Sequence, residues 1–403
     1  MIYKKIAYIV SEYPAVSHTF ISREVQLLRK SGYQVDCFSS NKTNHVFKKG
    51  SFEFDEIKTT LFLKNFKFKL FKYILIYMLK SLFSFFSYKY YGMILKGNIK
   101  YLSYLYQAFL FSHYIKTNKI EHIHVHFANS TALVALIASK LTGVKWSISI
   151  HGPDCFENVD KHHLKEIIES CNAIRTISNF AKYQILRHAN QNISSKITII
   201  RCGVEVKKIV LKQKHKNLQG LTVGRLVTAK GQAFLLEALS ECIHLGYQIN
   251  WTFIGNGDQY EYLKRFSKEL GIEKYINFMG ARDQSVVKRK LIAADIFALT
   301  SFAEGIPVSL MEAMSKKVIV ISSKTNGIPE LIEHKINGYL CAPGNVNEIK
   351  DCLIELIKKE KFIDQEQSYL NSVKKKAYKK VNEEYEINKN GYKMVEFFDA
   401  LLS

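Results

Sequence analysis

Two carboxylates, Glu304 and Glu312, stand eight residues apart in a segment that also holds a glycine and a proline. Paired carboxylates can hydrolyse a glycosidic bond, but they must then lie about 5–9.5 Å apart across that bond. Eight mostly helical residues make that distance awkward, so the two acids are expected to have different tasks. A capping acid followed by a solvated helix acid is the alternative.

The residues between the two acids predict a turn that leads from a strand into a helix. Gly305 follows the apolar run Ile296–Leu299, and Pro307 favours the first helical position. The free backbone amides from Gly305 to Val308 would then form an anion site, to which Pro307 has no amide to give.

Two cations, Arg225 and Lys230, follow the strand-like run Leu221–Val223. Such a pair can clamp a diphosphate and neutralise the charge that develops on its leaving oxygen. The spacing Gly-x4-Gly-Lys-Ser/Thr of a P-loop does not occur there. Two solvated loop cations are an equally good interpretation. Gly255 and Gly257 end another strand-like run, where a plain turn explains them as well as a close approach to a ligand does.

Three histidines, His122, His124 and His126, alternate along one strand-like run and therefore share a face. That spacing is like the spacing of a metal site, although we expect no carboxylate or cysteine to complete it. His151 ends the next strand-like run. We expect His126 and His151 to line a binding cleft, with a metal site as the minor alternative.

The elements that would position these residues alternate between strand and helix in two blocks. Helices are predicted between the strands, as at Ser17–Lys30 and Asn129–Leu141. This alternation predicts two parallel, doubly wound sheets, whose ligands bind at the carboxyl ends of the strands in an interdomain cleft. The predicted strands are Ile6–Val10, Val35–Ser39, Ile123–His126, Trp146–Ile150, Ala173–Ile177 and Ile197–Ile200, then Leu221–Val223, Trp251–Ile254, Ile276–Phe278, Ile296–Leu299 and Val318–Ile321.

The composition indicates a globular protein. A chain of 403 residues with 47% hydrophobic and 23% charged residues is neither a small disulfide scaffold nor a disordered protein. Seven scattered cysteines favour a reducing cytoplasm over a disulfide framework or a cysteine zinc site. The apolar run Ile6–Val10 is too short for a signal peptide, so no export is expected.

The net charge of +22 is concentrated in residues 57–120, which contain eleven lysines, eighteen Phe and Tyr residues, and no Asp or Glu. Lysines interrupt its apolar runs before they reach the ~20 residues of a transmembrane helix. Basic amphipathic helices lying on anionic lipid are the favoured interpretation. The alternatives are core helices with a solvated lysine face, and a surface for nucleic acid.

These motifs together resemble the retaining glycosyltransferases of family 4, most of all the branch that builds capsular and exopolysaccharide chains such as colanic acid. The resemblance implies the α/β fold called GT-B, in which two Rossmann-like domains face a cleft. The residues that carry it are Ser11–Pro14 with Ser17–Ile21, His124–Phe127, His151–Asp154, Ile200–Val204, Gly224–Arg225 with Lys230–Gly231, and Glu304 with Glu312.

The strand-helix pattern and the resemblance together give the expected domain limits. An N-terminal acceptor-binding domain would span 1–205, with 57–120 as a helical, membrane-facing insertion. A linker at 206–219 would lead to a nucleotide-sugar-binding domain at 220–375. A final helix at 376–403 would follow, and crossing back to the N-terminal domain is one option for it.

Site residues follow from the same resemblance. Arg225 and Lys230 would bind the donor diphosphate, Glu312 the ribose and Glu304 the transferred sugar, with His126 beside donor sugar and acceptor. The implied catalytic residues are therefore Glu304, His126, Lys230 and Arg225. Further substrate contacts are implied for His151, Gly255, Gly257, Gly280, Ala281, Arg282, Gly305, Ile306, Pro307 and Val308.

The implied reaction moves a sugar from a UDP- or GDP-sugar to a lipid-linked or growing oligosaccharide in surface polysaccharide synthesis. No cofactor and no metal are expected, since no Asp-x-Asp occurs and the two cations would neutralise the diphosphate. An anionic membrane on the cytoplasmic face would be a partner, whereas nucleic acid would not. The alternatives are a nucleotide-sugar epimerase on the same fold, and a non-catalytic basic scaffold on membrane or nucleic acid.

Overall fold

The computed structural model describes residues 4–15, 18–43, 47, 49–63, 76–79, 98–157, 159–160, 163–189, 192–207, 217–361 and 365–403. The chain divides into two units. Unit 1 contains Met1–Ile200 and Gly391–Ser403, and unit 2 contains Arg201–Asn390.

Unit 1 is built on a parallel sheet with the strand order β3-β2-β1-β4-β5-β6-β7. Its strands are β1 (Lys5–Glu12), β2 (Gln34–Asn41), β3 (Leu61–Phe62), β4 (His122–His126), β5 (Lys145–Ile150), β6 (Ala173–Thr176) and β7 (Ile197–Ile199). Its helices are α1 (Thr19–Lys30), α2 (Phe52–Thr59), α3 (Lys100–Asn118), α4 (Ser130–Thr142), α5 (Asp154–Glu157), α6 (Leu164–Ser170) and α7 (Asn179–His188).

Both faces of this sheet are covered. Successive residues of β1 enter different apolar clusters, because side chains alternate across a strand. Ala7 and Ile9 pack with residues of α3 and α4, whereas Tyr8 packs with α1 and with Phe398 near the C-terminus. Double coverage explains why the predicted strands read as continuous apolar runs.

Unit 2 is built on a second parallel sheet, with the strand order β10-β9-β8-β11-β12-β13. Its strands are β8 (Leu218–Val223), β9 (Ile249–Ile254), β10 (Ile276–Phe278), β11 (Ile296–Leu299), β12 (Ile319–Ser323) and β13 (Tyr339–Cys341). Its helices are α8 (Gln232–His244), α9 (Tyr260–Glu269), α10 (Gln284–Ala293), α11 (Val308–Ser315), α12 (Ile328–Leu331), α13 (Val346–Lys361) and α14 (Gln365–Glu384).

The last part of the chain holds two helices where the sequence predicts one. α14 ends before Tyr385, and α15 (Ile387–Leu402) follows after a β-bridge that joins Glu386 to Val204. Gly203 permits this close approach, since a Cβ there would lie 2.4 Å from Cα of Ile387. Residues Gly391–Ser403 belong to unit 1.

Part of the basic segment 57–120 is described, namely residues 57–63, 76–79 and 98–120. α3 buries Leu105, Ala108 and Phe111 in the core of unit 1, while Lys100 and Lys116 near its ends are exposed. This helix therefore matches the core-helix alternative. The rest of the predicted lipid-facing helices lies outside the described residues, and no described helix is long and apolar enough to cross a membrane.

The predicted linker 206–219 also lies mostly outside the described residues. Its last two residues, Leu218 and Gln219, instead begin β8, where Leu218 and Gln219 pair with Ile249 and Asn250 of β9. The sequence did not reveal that β8 begins at Leu218, because polar residues surround Leu218 and the apolar pattern starts only at Leu221.

Candidate functional site

The strand orders of the two sheets define where each unit can bind a ligand. In each sheet the chain first adds strands toward one edge and then toward the other. The switch lies between β1 and β4 in unit 1 and between β8 and β11 in unit 2. The loops after those strands diverge to opposite faces of the sheet and leave a crevice, which is the usual ligand site of doubly wound folds. In unit 2 these loops are residues 224–231 and 300–307, which carry the predicted cations and Glu304.

The two loops of unit 2 are fastened to each other through their backbones. Gly231 has φ +62°, and a Cβ at this position would lie 2.3 Å from the carbonyl oxygen of Thr300. The Thr300 hydroxyl donates to the Gly231 carbonyl oxygen at 3.0 Å, and the Phe302 amide donates to the Ala229 carbonyl oxygen at 2.9 Å. Only glycine allows this approach, so the loop geometry depends on it.

Lys230 and Glu304 meet in this crevice. The Lys230 ammonium forms an ion pair with Oε1 of Glu304, and the buried Ser301 hydroxyl donates to the same oxygen at 2.7 Å. The two side chains remain 17% and 11% exposed, so solvent reaches both. The arrangement places an ammonium and a carboxylate side by side at the carboxyl ends of two neighbouring strands.

Arg225 is exposed on the loop after β8. Its carbonyl oxygen accepts a hydrogen bond from the Gln232 side chain at 2.8 Å, which ties the loop to the first turn of α8. The structure thus fixes the backbone at Arg225 and leaves the guanidinium accessible to an anion.

The predicted glycines bring the neighbouring loops together. A Cβ on Gly255 would lie 1.8 Å from the Gly224 carbonyl oxygen, and one on Gly257 would lie 2.1 Å from the Leu226 carbonyl oxygen. The Gly255 amide also donates to the Gly280 carbonyl at 3.0 Å. Packing of the loops therefore explains why glycine occupies these positions. Ala281 and Arg282 follow Gly280 and are exposed.

The helix α11 begins one residue later than predicted, because Pro307 was expected at its first position. Pro307 occupies the N-cap of α11, and Val308 is its first residue. Ile306 is buried. The Gly305 carbonyl oxygen packs against Gly327, where an added Cβ would lie 2.5 Å from that oxygen. The half-buried Glu312 lies in the second turn of α11.

In unit 1 the described site centres on His126, the last residue of β4. Its Nδ1 lies 2.9 Å from Nε2 of His151, which directly follows β5. Its Nε2 lies 3.4 Å from Oε1 of Glu24, a residue of α1. The structure thus brings the two predicted histidines together, and it adds a carboxylate that the sequence patterns did not indicate.

Glu24 is held by further polar groups. The Tyr8 hydroxyl donates to its Oε1 at 2.7 Å, and Nη1 of Arg175 donates to its Oε2 at 3.2 Å. Burial by itself would raise the pKa of Glu24, but the Arg175 charge and the contacts with His126 and Tyr8 outweigh it and lower this pKa to about 2. Glu24 is therefore a carboxylate at neutral pH.

The other histidines of β4 join a serine ladder. His122 Nε2 and His124 Nδ1 both lie 2.7 Å from the Ser147 hydroxyl, and His124 Nε2 lies 2.8 Å from the Ser149 hydroxyl. Burial lowers the pKa of His122 to about 3 and the pKa of His124 well below its usual value.

The expectation that no carboxylate accompanies these histidines was wrong. Glu24, His124 and His126 offer ligand atoms within 4.8 Å of one another. The guanidinium of Arg175 already bonds to Glu24, and both nitrogens of His124 lie on serine hydroxyls. These partners favour a hydrogen-bonded network over a cation site.

Sequence reasoning missed Glu24 and Arg175 because they lie on separate elements. Glu24 is 100 residues before His124, and only the packing of α1 against the sheet brings them together. A charged residue inside an otherwise apolar strand, as Arg175 is in β6, was the one available signal.

Comparison with known proteins places both halves of the chain in one group of enzymes. Residues 18–208 match the family model "Glycosyltransferase Family 4", and residues 205–380 match the model "Glycosyl transferases group 1". Its two halves carry these two glycosyltransferase domains, and the chain is family 4-like. The two matches together span 18–380, and the predicted resemblance is confirmed.

Named relatives of this glycosyltransferase act in polysaccharide synthesis. The amylovoran biosynthesis glycosyltransferase AmsK of Erwinia amylovora is 37% identical over 172 residues, which are 40% of this chain and 42% of AmsK. The putative colanic acid biosynthesis glycosyltransferase WcaL of Salmonella typhimurium is 30% identical over 199 residues, which are 47% of this chain and 48% of WcaL. The chain thus matches less than half of either relative.

Solved structures confirm the predicted fold class. Anabaena Alr3699/HepE in complex with UDP-glucose matches with a TM-score of 0.75 at 16% identity, over 98% of this chain and 99% of that one. Identity this low shows the fold alone. The chain accordingly has the GT-B fold, with two Rossmann-like parallel sheets.

Proposed function

We propose that the protein transfers a sugar from a nucleotide-diphosphate donor to an oligosaccharide acceptor, with retention of the anomeric configuration and without a metal ion. The contact between Lys230 and Glu304 at the switch point of unit 2 carries this proposal. A cation for the leaving phosphate and a carboxylate for the sugar are what such a transfer needs at one place.

The proposed mechanism uses differential stabilisation of an oxocarbenium-like transition state. Arg225 and Lys230 stabilise the departing diphosphate, so that the phosphate replaces Glu304 as the partner of Lys230. Glu304 then binds the transferred sugar, held in place by Ser301. A phosphate oxygen accepts the proton of the acceptor hydroxyl, which attacks from the face that the leaving group vacates.

The remaining predicted residues frame the donor. Glu312 binds the ribose, and the backbone from Gly280 to Arg282 meets the base. Amides of Gly305, Ile306 and Val308 bind sugar and phosphate oxygens, whereas Gly255 and Gly257 act by packing the loop that carries Arg225. In unit 1, His126 and His151 serve the sugar and the acceptor.

The proposed setting is the synthesis of a surface polysaccharide, such as a capsule, an exopolysaccharide or an O-antigen. The names of AmsK and WcaL support it. The donor is a UDP- or GDP-sugar, and the complex that HepE forms with UDP-glucose supports the nucleotide class. The acceptor is lipid-linked, and the protein works peripherally on the cytoplasmic face of the inner membrane.

A donor screen followed by a product assay tests the transfer. We expect one UDP- or GDP-sugar to raise the melting temperature with EDTA present, and free nucleotide to appear faster when an oligosaccharide acceptor is added. The new linkage should keep the anomeric configuration of the donor. An epimerase would instead interconvert donor sugars without acceptor, and a scaffold would do neither.

Liposome flotation tests the membrane contact, which is motivated by the eleven lysines of 57–120. We expect the protein to float with anionic vesicles at low salt and to be released by high salt. Replacing Lys64, Lys67, Lys69 and Lys72 by Gln should abolish flotation. The matched control replaces four lysines of α14, Lys374, Lys375, Lys376 and Lys379, by Gln. Equal flotation of both variants would contradict a docking role for the segment.

A further inference from the structure

Three half-buried aromatic residues cluster where the chain leaves β1 and β4, at the switch point of unit 1. They are His18, which is the N-cap of α1, Phe20 in the first turn of α1, and Phe127 directly after β4. The ring centroids of His18 and Phe127 are 5.1 Å apart, and those of Phe20 and Phe127 are 6.4 Å apart. We call these three residues the aromatic platform.

Phe127 has a backbone conformation that a bulky residue rarely adopts. Its φ is +72°, in the left-handed region, where Cβ is crowded by the following carbonyl oxygen. The Phe127 amide still donates to the Ser149 carbonyl oxygen at 3.0 Å, so the pairing of β4 with β5 continues up to this residue. Strain of this kind persists only where the surrounding structure imposes it.

The left-handed conformation decides which face of the sheet the Phe127 ring occupies. Side chains alternate along a strand, and Ile123 and Val125 of β4 enter the apolar cluster on the side of α3 and α4. A regular strand would send residue 127 to that side as well. The Phe127 ring instead packs on the side of α1, with its centroid 5.1 Å from the rings of both His18 and His151.

Core packing does not account for the strained conformation of Phe127. Phe20 and Phe127 lie at the margin of their apolar cluster and stay half-buried, so part of each ring remains at the surface. Glycine or asparagine adopts a positive φ with less strain than phenylalanine does. A strained residue with an accessible ring supports a role in binding, because such outliers cluster at functional sites.

Polar contacts hold the platform in place and add a hydrogen-bond donor to it. Nδ1 of His18 donates to the Glu12 carbonyl oxygen at 3.1 Å, since a carbonyl oxygen can only accept. The Asn129 amide donates to the Phe127 carbonyl oxygen at 3.0 Å. Oδ1 of Asn129 accepts from the Thr131 amide at 3.0 Å and from the Thr131 hydroxyl at 2.6 Å. Nδ2 of Asn129 has no partner among the described residues.

An aromatic surface beside an amide donor matches the chemistry of a sugar ring. A pyranose presents an apolar face of axial C–H groups, which stacks on aromatic rings, and a rim of hydroxyls, which need polar partners. The platform lies within residues 18–208, which match a glycosyltransferase family model. The proposed donor contacts, Arg225 and Lys230 among them, lie in unit 2, so a sugar ring that unit 1 binds is assigned to the acceptor.

We propose that the aromatic platform binds one pyranose ring of the acceptor. Phe127 lies against the apolar face of that ring, His18 and Phe20 flank it, and Nδ2 of Asn129 donates to one of its hydroxyls. The strained backbone at Phe127 is what brings the aromatic ring to this side of the sheet. This inference rests on the proposed sugar transfer, and it names the subsite in which the acceptor is recognised.

Steady-state kinetics of Phe127 variants test the contact. Phe127→Leu keeps an apolar side chain and removes the aromatic face, whereas Phe127→Tyr keeps that face. We expect Phe127→Leu to raise KM for the acceptor about tenfold, with KM for the nucleotide sugar unchanged, and Phe127→Tyr to behave like the wild type. Phe52→Leu is the matched control, because Phe52 is half-buried against the same apolar cluster, on α2. A rise in KM for the nucleotide sugar instead would assign the platform to the donor and overturn the proposal.

Saturation-transfer NMR reads the same contact without any transfer. The probes are the methyl glycosides of glucose, galactose and N-acetylglucosamine, added to the full chain with UDP in excess. We expect the C–H protons on one face of a bound glycoside to receive most of the saturation in the wild type and in Phe127→Tyr, and this signal to be lost in Phe127→Leu. No bound glycoside in the wild type, or an equal signal in Phe127→Leu, would refute the platform.

Thermal denaturation separates sugar recognition from a purely structural role. Phe127→Asn relieves the strained φ, so we expect its melting temperature to stay close to that of the wild type while KM for the acceptor rises as in Phe127→Leu. A lower melting temperature with an unchanged KM would show that the ring only packs. Failure of the wild type to transfer any sugar would refute the proposed function, and the NMR contact would still decide the platform.

Discussion

At the residue scale, one oxygen of Glu304 is shared by two donors from different sequence regions. Lys230 comes from the loop after β8, and Ser301 from the loop after β11. Both residues were needed to place the carboxylate, although only Lys230 and Glu304 carried a sequence signal. Ser301 had none, because a serine after a strand is typical of any loop.

The variant Lys230→Met removes the charge and keeps the length of the side chain. We expect kcat for transfer to fall about 10²–10³-fold, as when one preorganised charge partner of a transition state is deleted. The melting temperature should change little, because a partly exposed ion pair contributes little to stability. Steady-state kinetics and thermal denaturation measure the two effects.

Lys264→Met is the matched control, since Lys264 is exposed on α9 in the same unit. It should retain wild-type transfer. If Lys230→Met also retained it, the assignment of Lys230 to the donor diphosphate would be wrong.

At the element scale, the loops at the carboxyl ends of β8, β9 and β10 form one stacked unit. These loops approach each other most closely at Gly255, which has φ +152°. A Cβ added to Gly255 would lie only 1.8 Å from the Gly224 carbonyl oxygen. This contact cannot relax by a side-chain rotation, because both partners are backbone. The loop that carries Arg225 thus depends on a residue from the next strand.

We expect Gly255→Ala to destabilise unit 2 by more than the ~1–3 kcal/mol that an unfavourable φ costs by itself. Gly246→Ala is the control, because Gly246 also has a positive φ, +88°, but its Cβ would meet nothing within 4 Å. Urea unfolding followed by Trp251 fluorescence in a Trp146→Phe background measures both. Equal losses in the two variants would contradict the backbone contact.

Two short edge strands, β3 and β13, were not revealed by the sequence, although β7 and β10 are as short as β13 and were predicted. β3 has two residues and β13 has three, whereas a strand is recognised over four to eight residues. Each lies at an edge of its sheet, where a strand has only one neighbour. The long interior strands were predicted within a few residues of their ends because both faces of each are buried.

At the scale of the whole molecule, four buried histidines and the mostly buried Glu24 of unit 1 all lose stability as the pH falls, but in different pH windows. Burial lowers the pKa of His122, His124, His126 and His151, so the folded unit binds fewer protons than the unfolded chain below about pH 6.5. Glu24, with its pKa lowered to about 2, adds stability above about pH 4.5 and loses it only as the pH falls toward 2.

The free energy of unfolding of unit 1 should therefore fall as the pH drops from 7 to 5. Each buried neutral histidine contributes up to about 1.4 kcal/mol per pH unit below its unfolded pKa. Trp146 fluorescence in a Trp251→Phe background reports this unit, since the chain has two tryptophans. His122→Asn should reduce the slope of the free energy of unfolding against pH by the contribution of one histidine proton. A flat profile between pH 7 and pH 5 would show that the rings are not kept neutral by the fold.

The sequence by itself determined the strand-helix alternation, the family, and the residues Arg225, Lys230, Glu304, His126 and His151 as candidates. These are properties of local pattern, because buried strands are apolar runs and loops after strands carry the polar groups. Motif and spacing also predicted different tasks for the two acids of the Glu304 segment.

Only the tertiary structure decided which of these residues meet. Lys230 and Glu304 are 74 residues apart, and they touch because β8 and β11 are neighbours in the sheet. Glu24 enters the histidine cluster because α1 packs on the face of β1 that also carries Tyr8. The neutral state of the histidines depends on such contacts, since burial and partners, not residue type, set a pKa.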